Sequence, residues 1–231
     1  MRLSGLLVMC LAPATAAHAG PPYVTDDPEP VPYRHWELYL ASQDAVTPDG
    51  VSGTAPHVEL NYGAWPEVQL HVIAPLAYDL PTGARSAYGA GDVELGVKVR
   101  FVRESGRRPM VGTFPLVELP TAGAGLGEGR VRVFVPLWVQ ASSGPWTGYG
   151  GGGYLIDVGA RGSVFLGAVL QRRLSRHSTL GGELYDATND FRFDVGLVVD
   201  ATDHHHVLLS AGRSIVGDTR FQGYAAYQLT W

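Results

Sequence analysis

The chain has 231 residues, of which 45% are hydrophobic and 17% charged, and its formal net charge is −5. This mildly acidic balance argues against a nucleic-acid-binding protein, and the apolar share is too high for an intrinsically disordered chain. Beyond the first 20 residues no apolar run is long enough for a transmembrane helix, which needs roughly 18 residues.

The first 19 residues have the organisation of a secretory signal peptide. Arg2 supplies a positive charge, an apolar stretch follows it, and Ala17 and Ala19 are the small residues that a signal peptidase reads. We therefore predict cleavage before Gly20 and export of the remaining chain. The alternative, a buried N-terminal helix, is disfavoured by the prolines that follow. Because Cys10 leaves with the signal peptide, the exported chain has no cysteine for a disulfide.

Residues 20–34 form a proline-rich and acidic segment that cannot be a central strand, because proline lacks the backbone donor that a strand needs. We consider two interpretations of this segment. It is either a periplasmic tail or a plug inside the fold formed by residues 35–231. In the second case its carboxylates are expected to meet a basic patch such as Arg100 or Arg132.

From residue 35 onward, apolar and polar residues alternate with a period of two, which is typical of strands with one apolar face. In residues 92–101, for example, the apolar residues alternate with Asp92, Glu94, Lys98 and Arg100 over most of the stretch. A helix would scatter these charges around its circumference. Such alternation predicts twelve strands, at residues 35–43, 54–64, 67–78, 90–102, 109–119, 129–141, 146–156, 163–173, 178–186, 191–200, 205–213 and 219–231.

This pattern predicts an all-β fold, a single antiparallel up-and-down transmembrane β-barrel of about twelve strands. Alternate connections are short, as at residues 65–66 and 142–145. Several of the others are long and rich in Gly, Pro and Asp, namely residues 44–53, 79–89 and 120–128. Since outer-membrane barrels have short periplasmic turns and longer outer loops, we expect both termini on the periplasmic side.

Aromatic residues fall at the predicted strand ends, where amphipathic rings prefer the membrane interface. Trp36, Trp65, Trp146 and Trp231 belong to the periplasmic end, and Tyr78, Tyr154 and Phe191 belong to the outer end. The alternative, core aromatics of a soluble barrel, does not explain why four of the five Trp residues share one rim. The aromatic C-terminus also resembles the terminal strand that barrel-assembly machinery reads in outer-membrane proteins.

If the apolar faces contact outer-membrane lipid, the charged residues line the lumen. The candidates carry both signs, so they either pair with one another and close a narrow lumen or form a selective lining for a small solute. They are Glu37, Glu59, Glu67, His71, Glu94, Lys98, Arg100, Glu118, Arg132, Arg172, Glu183, Arg192, Asp194 and Arg213.

Three other motifs favour structural roles. The three histidines at 204–206 lie at a predicted turn, where neighbouring strand residues point to opposite faces, so we predict no metal site and no cofactor. The glycines at 150–153 lack the Lys-Ser/Thr of a phosphate loop and lie in a strand pattern, where they allow curvature or a close inward approach. Ser210, His206 and Asp203 are too far apart along one strand to form a catalytic triad, so we predict no enzymatic activity.

Several stretches resemble the bacterial family of outer-membrane transporters named for the MetA pathway of phenol degradation. The resemblance spans nearly all of residues 20–231 and implies a β-barrel in the outer membrane of a Gram-negative bacterium. The stretches are GPPYVTDDPEP (20–30), YRHWELYL (33–40), ELNYG (59–63), QLHVIAPLAYD (69–79), GDVELGVKVRF (91–101), FPLVELPT (114–121), FVPLWVQ (134–140) and SAGR (210–213).

The leading functional hypothesis is therefore passive passage or binding of a small, aromatic or hydrophobic solute in the outer membrane. A closed structural or lipid-interacting barrel without transport is the main alternative. A soluble periplasmic ligand-binding barrel and an outer-membrane hydrolase are less favoured by the pattern.

Overall fold

A computed structural model describes residues 21–187 and 190–231, and the predicted signal peptide lies outside these residues. Residues 21–33 precede the first strand. The strands that follow are β1 (Trp36–Thr47), β2 (Gly50–Trp65), β3 (Val68–Pro81), β4 (Ala87–Ala90), β5 (Val93–Val102), β6 (Met110–Thr113), β7 (Leu116–Leu119), β8 (Arg132–Ser143), β9 (Trp146–Asp157), β10 (Ser163–Ser175), β11 (Ser178–Ala187), β12 (Asp190–Asp200), β13 (His205–Val216) and β14 (Phe221–Thr230).

The strands form one antiparallel sheet that closes on itself into a barrel. Apart from β4 with β5 and β6 with β7, each strand pairs with its neighbour in sequence, and β14 pairs with β1 to complete the circle, with Leu40 opposite Tyr227. Two positions of the wall are each shared by two strands, because β4 and β5 both pair with β3, and β6 and β7 both pair with β8. The wall therefore has twelve positions, which confirms the predicted twelve-stranded antiparallel barrel.

The alternation in sequence becomes an alternation between the two surfaces of the wall. In β10, Val164, Leu166 and Leu170 are exposed on the outside, whereas Val169 and Gln171 are buried on the inside. The other long strands repeat this arrangement, so large apolar side chains cover the outer surface and many buried side chains are polar. None of the described residues forms a helix long and apolar enough to cross a membrane.

The rim that carries Trp36 and Trp231 is called the termini rim here, and the opposite one the loop rim. The strands at the loop rim are longer than the sequence predicted. Residues 44–53, expected to be a long loop, belong almost entirely to β1 and β2, which are joined through residues 48–49. Ser, Thr and Gly in this stretch can extend a ladder beyond the apolar band, so low hydrophobicity alone did not mark a loop. The predicted loop at 79–89 is likewise shortened by the end of β3 and by β4.

The glycine run at 150–153 lies within β9 and leaves space for aromatic rings inside the barrel. A β-carbon on Gly153 would come within 2.6 Å of the Phe134 ring, and one on Gly151 within 3.0 Å of the Trp138 ring. Trp138 is 1% exposed. Glycine on β9 therefore allows large rings on β8 to lie against the wall, which is one of the two roles, curvature or close inward approach, that the sequence left open.

Candidate functional site

The N-terminal segment, residues 21–33, crosses the lumen from one wall to the other. Near its start, the Ser210 hydroxyl of β13 donates a hydrogen bond to the Pro22 carbonyl at 2.7 Å, and the Tyr23 hydroxyl donates to the Gly196 carbonyl of β12 at 3.2 Å. Near its end, the backbone N–H of Val31 donates to Gln69 Oε1 on β3 at 2.9 Å. The segment is thus bonded to opposite sides of the barrel.

Ion pairs attach the acidic centre of the segment to β5. Lys98 is buried, and its Nζ lies 2.9 Å from Asp26 Oδ1 and 3.7 Å from Asp27 Oδ2. Two residues further along β5, Arg100 Nη1 lies 3.3 Å from Glu29 Oε1. Because Asp27 is 0% exposed, its charge depends on this lysine for compensation. The acidic residues therefore contact Lys98 and Arg100, whereas Arg132 binds Glu118 and Asp157.

A carboxylate on the opposite wall holds the backbone of the segment. Glu183 on β11 accepts hydrogen bonds from the N–H groups of Val24, at 3.0 Å, and Thr25, at 2.5 Å. Thr25 and Glu183 are both buried. Two adjacent N–H donors to one carboxylate satisfy backbone groups that have no partner in a sheet. Glu183 therefore accepts the backbone hydrogen bonds of the segment, as a neighbouring strand does for the strands of the wall.

Glycines in the wall make room for the segment. A β-carbon on Gly196 would come within 2.7 Å of the Tyr23 ring, and one on Gly112 within 2.9 Å of Pro28. A β-carbon on Gly167 would meet the Thr25 hydroxyl, and one on Gly63 would meet the Pro32 backbone. Since these glycines lie on four different strands, the inner surface is shaped to the segment along much of its length.

Three cavities lie beside the segment in the lumen. The narrow cavity, about 60 Å³, lies between the segment and the inner faces of β1–β3 and β5. The polar cavity, about 450 Å³, lies toward the loop rim and is bordered by Glu59, His71 and Asp194. The apolar cavity, about 320 Å³, is bordered by Phe134 and Phe165. The segment therefore leaves wide space toward the loop rim and little toward the termini rim.

A chain of polar side chains lines the β2–β5 side of the lumen. Glu59 accepts a hydrogen bond from Asn61 Nδ2 at 2.8 Å, and Asn61 Oδ1 lies 2.6 Å from His71 Nδ1. The other imidazole nitrogen of His71 lies 3.2 Å from Glu94 Oε1. Phe114 packs edge-on against the His71 ring, with centroids 5.1 Å apart. Neutral donors and one imidazole thus hold two carboxylates that have no Lys or Arg partner among the described residues.

The structure places most of the predicted lumen candidates on inward-facing positions of the wall. They are Glu37, Glu59, His71, Glu94, Lys98, Arg100, Glu118, Arg132, Glu183, Arg192 and Asp194. Glu67 lies instead in the β2–β3 turn at the termini rim, where it binds Arg100 and Arg103. Hydrogen bonding to Arg100, with a further contribution from Arg103, holds the pKa of Glu67 below its usual range.

Two lumen candidates differ from the prediction. Arg172 shares the outward face of β10 with Leu170, and its guanidinium lies 5.3 Å from the centre of the Trp146 ring. Arg213 is exposed on the outward face of β13, next to the inward Ser214. Both residues follow the same period of two as their neighbours. Their assignment to the lumen was wrong because it relied on their charge alone. A long arginine at a strand end can keep its charge in the interface while its stem covers apolar surface.

The predicted interface aromatics lie on the outer surface near the two rims. Trp65, Trp146 and Trp231 are exposed, and Trp36 stacks on Tyr62 and Trp231 where β1 meets β14. At the loop rim, Tyr154 and Phe191 are exposed. Tyr78 is half-buried and donates its hydroxyl to Asp44.

The residues of the serine–histidine–aspartate motif have other partners in the structure. The Ser210 hydroxyl donates to the Pro22 carbonyl, and His206 Nδ1 lies 2.7 Å from Asp200 Oδ1. Within residues 21–187 and 190–231, no group of three His, Cys, Asp or Glu residues could hold a metal ion.

Sequence reasoning missed the neutral half of this site. Tyr23 and Thr25 carry no charge, so a search for charged lumen residues does not find them, and of the wall glycines it considers only those at 150–153. A signal was present for the glycines, since Gly112, Gly167 and Gly196 occupy positions where the strand pattern predicts an inward side chain. What they accommodate depends on residues far away in sequence, which one sequence does not reveal.

The fold belongs to the class of outer-membrane-type β-barrels, with the lumen crossed by the protein's own N-terminal segment. One similar solved structure is the COG4313 outer membrane channel from Pseudomonas putida F1, with a TM-score of 0.72 at 16% identity over 89% of this chain and 98% of that one. KdgM porin has a TM-score of 0.61 at 10% identity, covering 84% and 99% of the two chains. The translocator domain of autotransporter NalP from Neisseria meningitidis has a TM-score of 0.53 at 11% identity, covering 85% and 87%. No protein-family model and no curated protein matches the sequence.

Proposed function

We propose that the protein is a passive outer-membrane channel for small solutes, narrowed by its own N-terminal segment. The observation that carries this proposal is a closed barrel with an apolar outer surface and a polar lumen that is wide toward one rim only. The likeness to an outer membrane channel and to a porin agrees with it. The association with phenol degradation implied by the sequence resemblance stays a prediction about the solute.

The proposal includes an orientation in which the termini rim faces the periplasm. The connections at that rim include residues 66–67, 144–145 and 176–177, all short, and the four rim tryptophans lie there. The loop rim carries the long connection at residues 120–131 and others at 158–162 and 217–220. Short periplasmic turns and longer outer loops are the general rule for such barrels. In this orientation the wide cavities open to the outside of the cell.

A second candidate function, a closed barrel without transport, is supported by the narrow cavity and by the buried pairing of Lys98. The two functions differ in whether the N-terminal segment can leave its place. Planar-bilayer recordings of the refolded protein, of a deletion of residues 21–33 and of Lys98→Met test this. Arg213→Gln, on the outward face, is the matched charge-removal control.

We expect small conductance for the parent protein and a several-fold larger conductance for Lys98→Met, because a buried Asp27 without its cation costs about 3–5 kcal/mol and favours release of the segment. The control should behave like the parent. A shift in gel mobility on heating shows for each variant that the barrel has folded. If folded deletion and lysine variants conduct no better than the parent, the segment does not restrict the pore, and if none conducts, the closed barrel is the function.

A further inference from the structure

Arg172 lies among apolar side chains on the outer surface of the barrel. It shares the outward face of β10 with Leu170 and Leu174, which are 56% and 54% exposed. Its cross-strand neighbours are Trp146 on β9 and Leu180 on β11, which are also exposed. Since Leu174 lies between Arg172 and the end of β10 at the termini rim, the arginine is attached within the apolar surface and not in the turn beyond it.

This arginine has an aromatic partner but no anion. Its guanidinium carbon lies 5.3 Å from the centre of the Trp146 ring, and the face of an indole attracts a cation. Among the described residues, no carboxylate lies within 4.0 Å of the guanidinium. The ring holds the side chain beside the wall without neutralising its charge. Because an unpaired charge beside hydrocarbon is costly, a negative group supplied by the surroundings would stabilise it.

The wall around Arg172 is poor in acidic residues. Residues 133–182 contain one of them, Asp157, which lies at the loop-rim end of β9 and binds Arg132. The same stretch contains four arginines, and three of these are close together in sequence near the termini rim, namely Arg172, Arg173 and Arg176. This side of the termini rim therefore carries an excess of positive charge.

Acidic residues on the neighbouring hairpins have partners of their own. Glu104, in the connection between β5 and β6, accepts a hydrogen bond from the backbone N–H of Ser142 at 2.6 Å. Asp200, at the end of β12, has its Oδ1 2.7 Å from His206 Nδ1. The counter-charge for the guanidinium is therefore not supplied by these hairpins.

For a barrel that spans the outer membrane, we propose that Arg172 and Trp146 form a binding site for an anionic phospholipid, with the lipid phosphate at the guanidinium. The planar guanidinium can donate two parallel hydrogen bonds to a phosphate, which makes arginine well suited to this group. The three exposed leucines around it would contact the acyl chains. Arg176, in the turn that follows β10, adds a second cation at the level of the headgroup.

Native mass spectrometry of the detergent-refolded full chain tests this with phosphatidylglycerol and with a diacylglycerol of the same acyl chains, which lacks the phosphate. We expect the first phosphatidylglycerol to bind at least tenfold more tightly than the diacylglycerol. Arg172→Gln should weaken phosphatidylglycerol fivefold or more and leave the diacylglycerol unchanged. Arg172→Lys should weaken it less, because an ammonium keeps the charge and loses the two-bond geometry. Arg161→Gln, in the β9–β10 connection at the loop rim, is the matched control and should bind like the parent.

Two results would overturn the proposal. One is equal affinity for the two lipids, and the other is equal phosphatidylglycerol affinity in folded Arg172→Gln and Arg161→Gln variants. Glycerol 3-phosphate, which has the phosphate without acyl chains, should not displace the lipid at equal concentration, and displacement would mean that the site binds free phosphate instead of a lipid.

The binding measurement does not depend on passage of a solute through the lumen. Lipid binding that requires Arg172 in a protein without conductance would therefore contradict the channel function alone. Conductance in a protein whose lipid binding does not require Arg172 would contradict the lipid site alone.

Discussion

At the scale of single residues, several contacts between the wall and the N-terminal segment pair a glycine of the wall with a side chain of the segment. Gly196 lies under the Tyr23 ring, and Gly112 lies under Pro28. Ion pairs then attach the middle of the segment to β5, where Lys98 binds Asp26. Shape complementarity and charge therefore act on different residues of the same segment, and they can be tested separately.

Replacing Gly196 with alanine should loosen the N-terminal segment, because the new methyl group would lie about 2.7 Å from the Tyr23 ring. The matched control is Gly182→Ala on the neighbouring strand, where the added carbon would be 3.6 Å from its nearest atom, an ordinary contact. We expect higher conductance and faster proteolysis within residues 21–33 for Gly196→Ala only. Equal conductance and equal proteolysis of the two variants would show that Gly196 is not needed to accommodate the segment.

At the scale of elements, a turn and a strand are joined at the termini rim by one carboxylate. Glu67, between β2 and β3, binds Arg100 and Arg103, and the N–H of Arg100 also donates to the Glu67 carbonyl at 3.0 Å. The same Arg100 reaches Glu29 of the N-terminal segment. The turn, the end of β5 and the segment are therefore coupled through one guanidinium.

This coupling predicts a pH dependence of stability. Hydrogen bonding to Arg100, together with the bond to Arg103, lowers the pKa of Glu67 from its ordinary 4.5, so its contribution is present above that pH and is lost as pH falls through the lowered value. We expect urea unfolding in lipid vesicles to show a smaller loss of stability between neutral pH and the region below pH 4.5 for Glu67→Gln than for the parent. If the free energy of unfolding falls equally with pH in the parent and in Glu67→Gln, Glu67 is not the source of this pH dependence.

At the scale of the whole molecule, the usual arrangement of a soluble protein is reversed, with leucines and valines outside and charges inside. Few apolar residues are buried together, and one cluster consists of Tyr23, Tyr149 and Val169. Continuous strand pairing and contact with lipid must therefore supply most of the stability. The cost of an outward charge then depends on how deep it lies in the bilayer.

Two leucines on the outward face of β10 test this dependence. Leu170 lies near the middle of the strand and Leu174 near its end at the termini rim. Leu170→Arg should cost about 2–4 kcal/mol of folding free energy and Leu174→Arg about 0–1 kcal/mol, as expected for the midplane and the interface. Reversible folding into vesicles measures both values. Equal costs would place the apolar band elsewhere on the barrel.

The wall was predictable from the sequence because period-two patterning acts locally, strand by strand. The pattern separated Lys98 and Asp194 from the valines beside them. It also places Arg172 and Arg213 on the outward face, and their assignment to the lumen was wrong because it followed their charge instead of the pattern. The contents of the lumen were less predictable. The bond between Thr25 and Glu183 joins residues 158 positions apart, and only closure of the barrel brings them together.

The seam between β1 and β14 makes the first and last parts of the barrel depend on each other. It joins the first strand to the last one, and the N-terminal segment is enclosed by the circle that this seam completes. The segment is bonded to β3, β5, β11, β12 and β13, so its full set of contacts exists only in the closed circle. The strand that is synthesised last therefore completes the enclosure of the segment that is synthesised before all the strands.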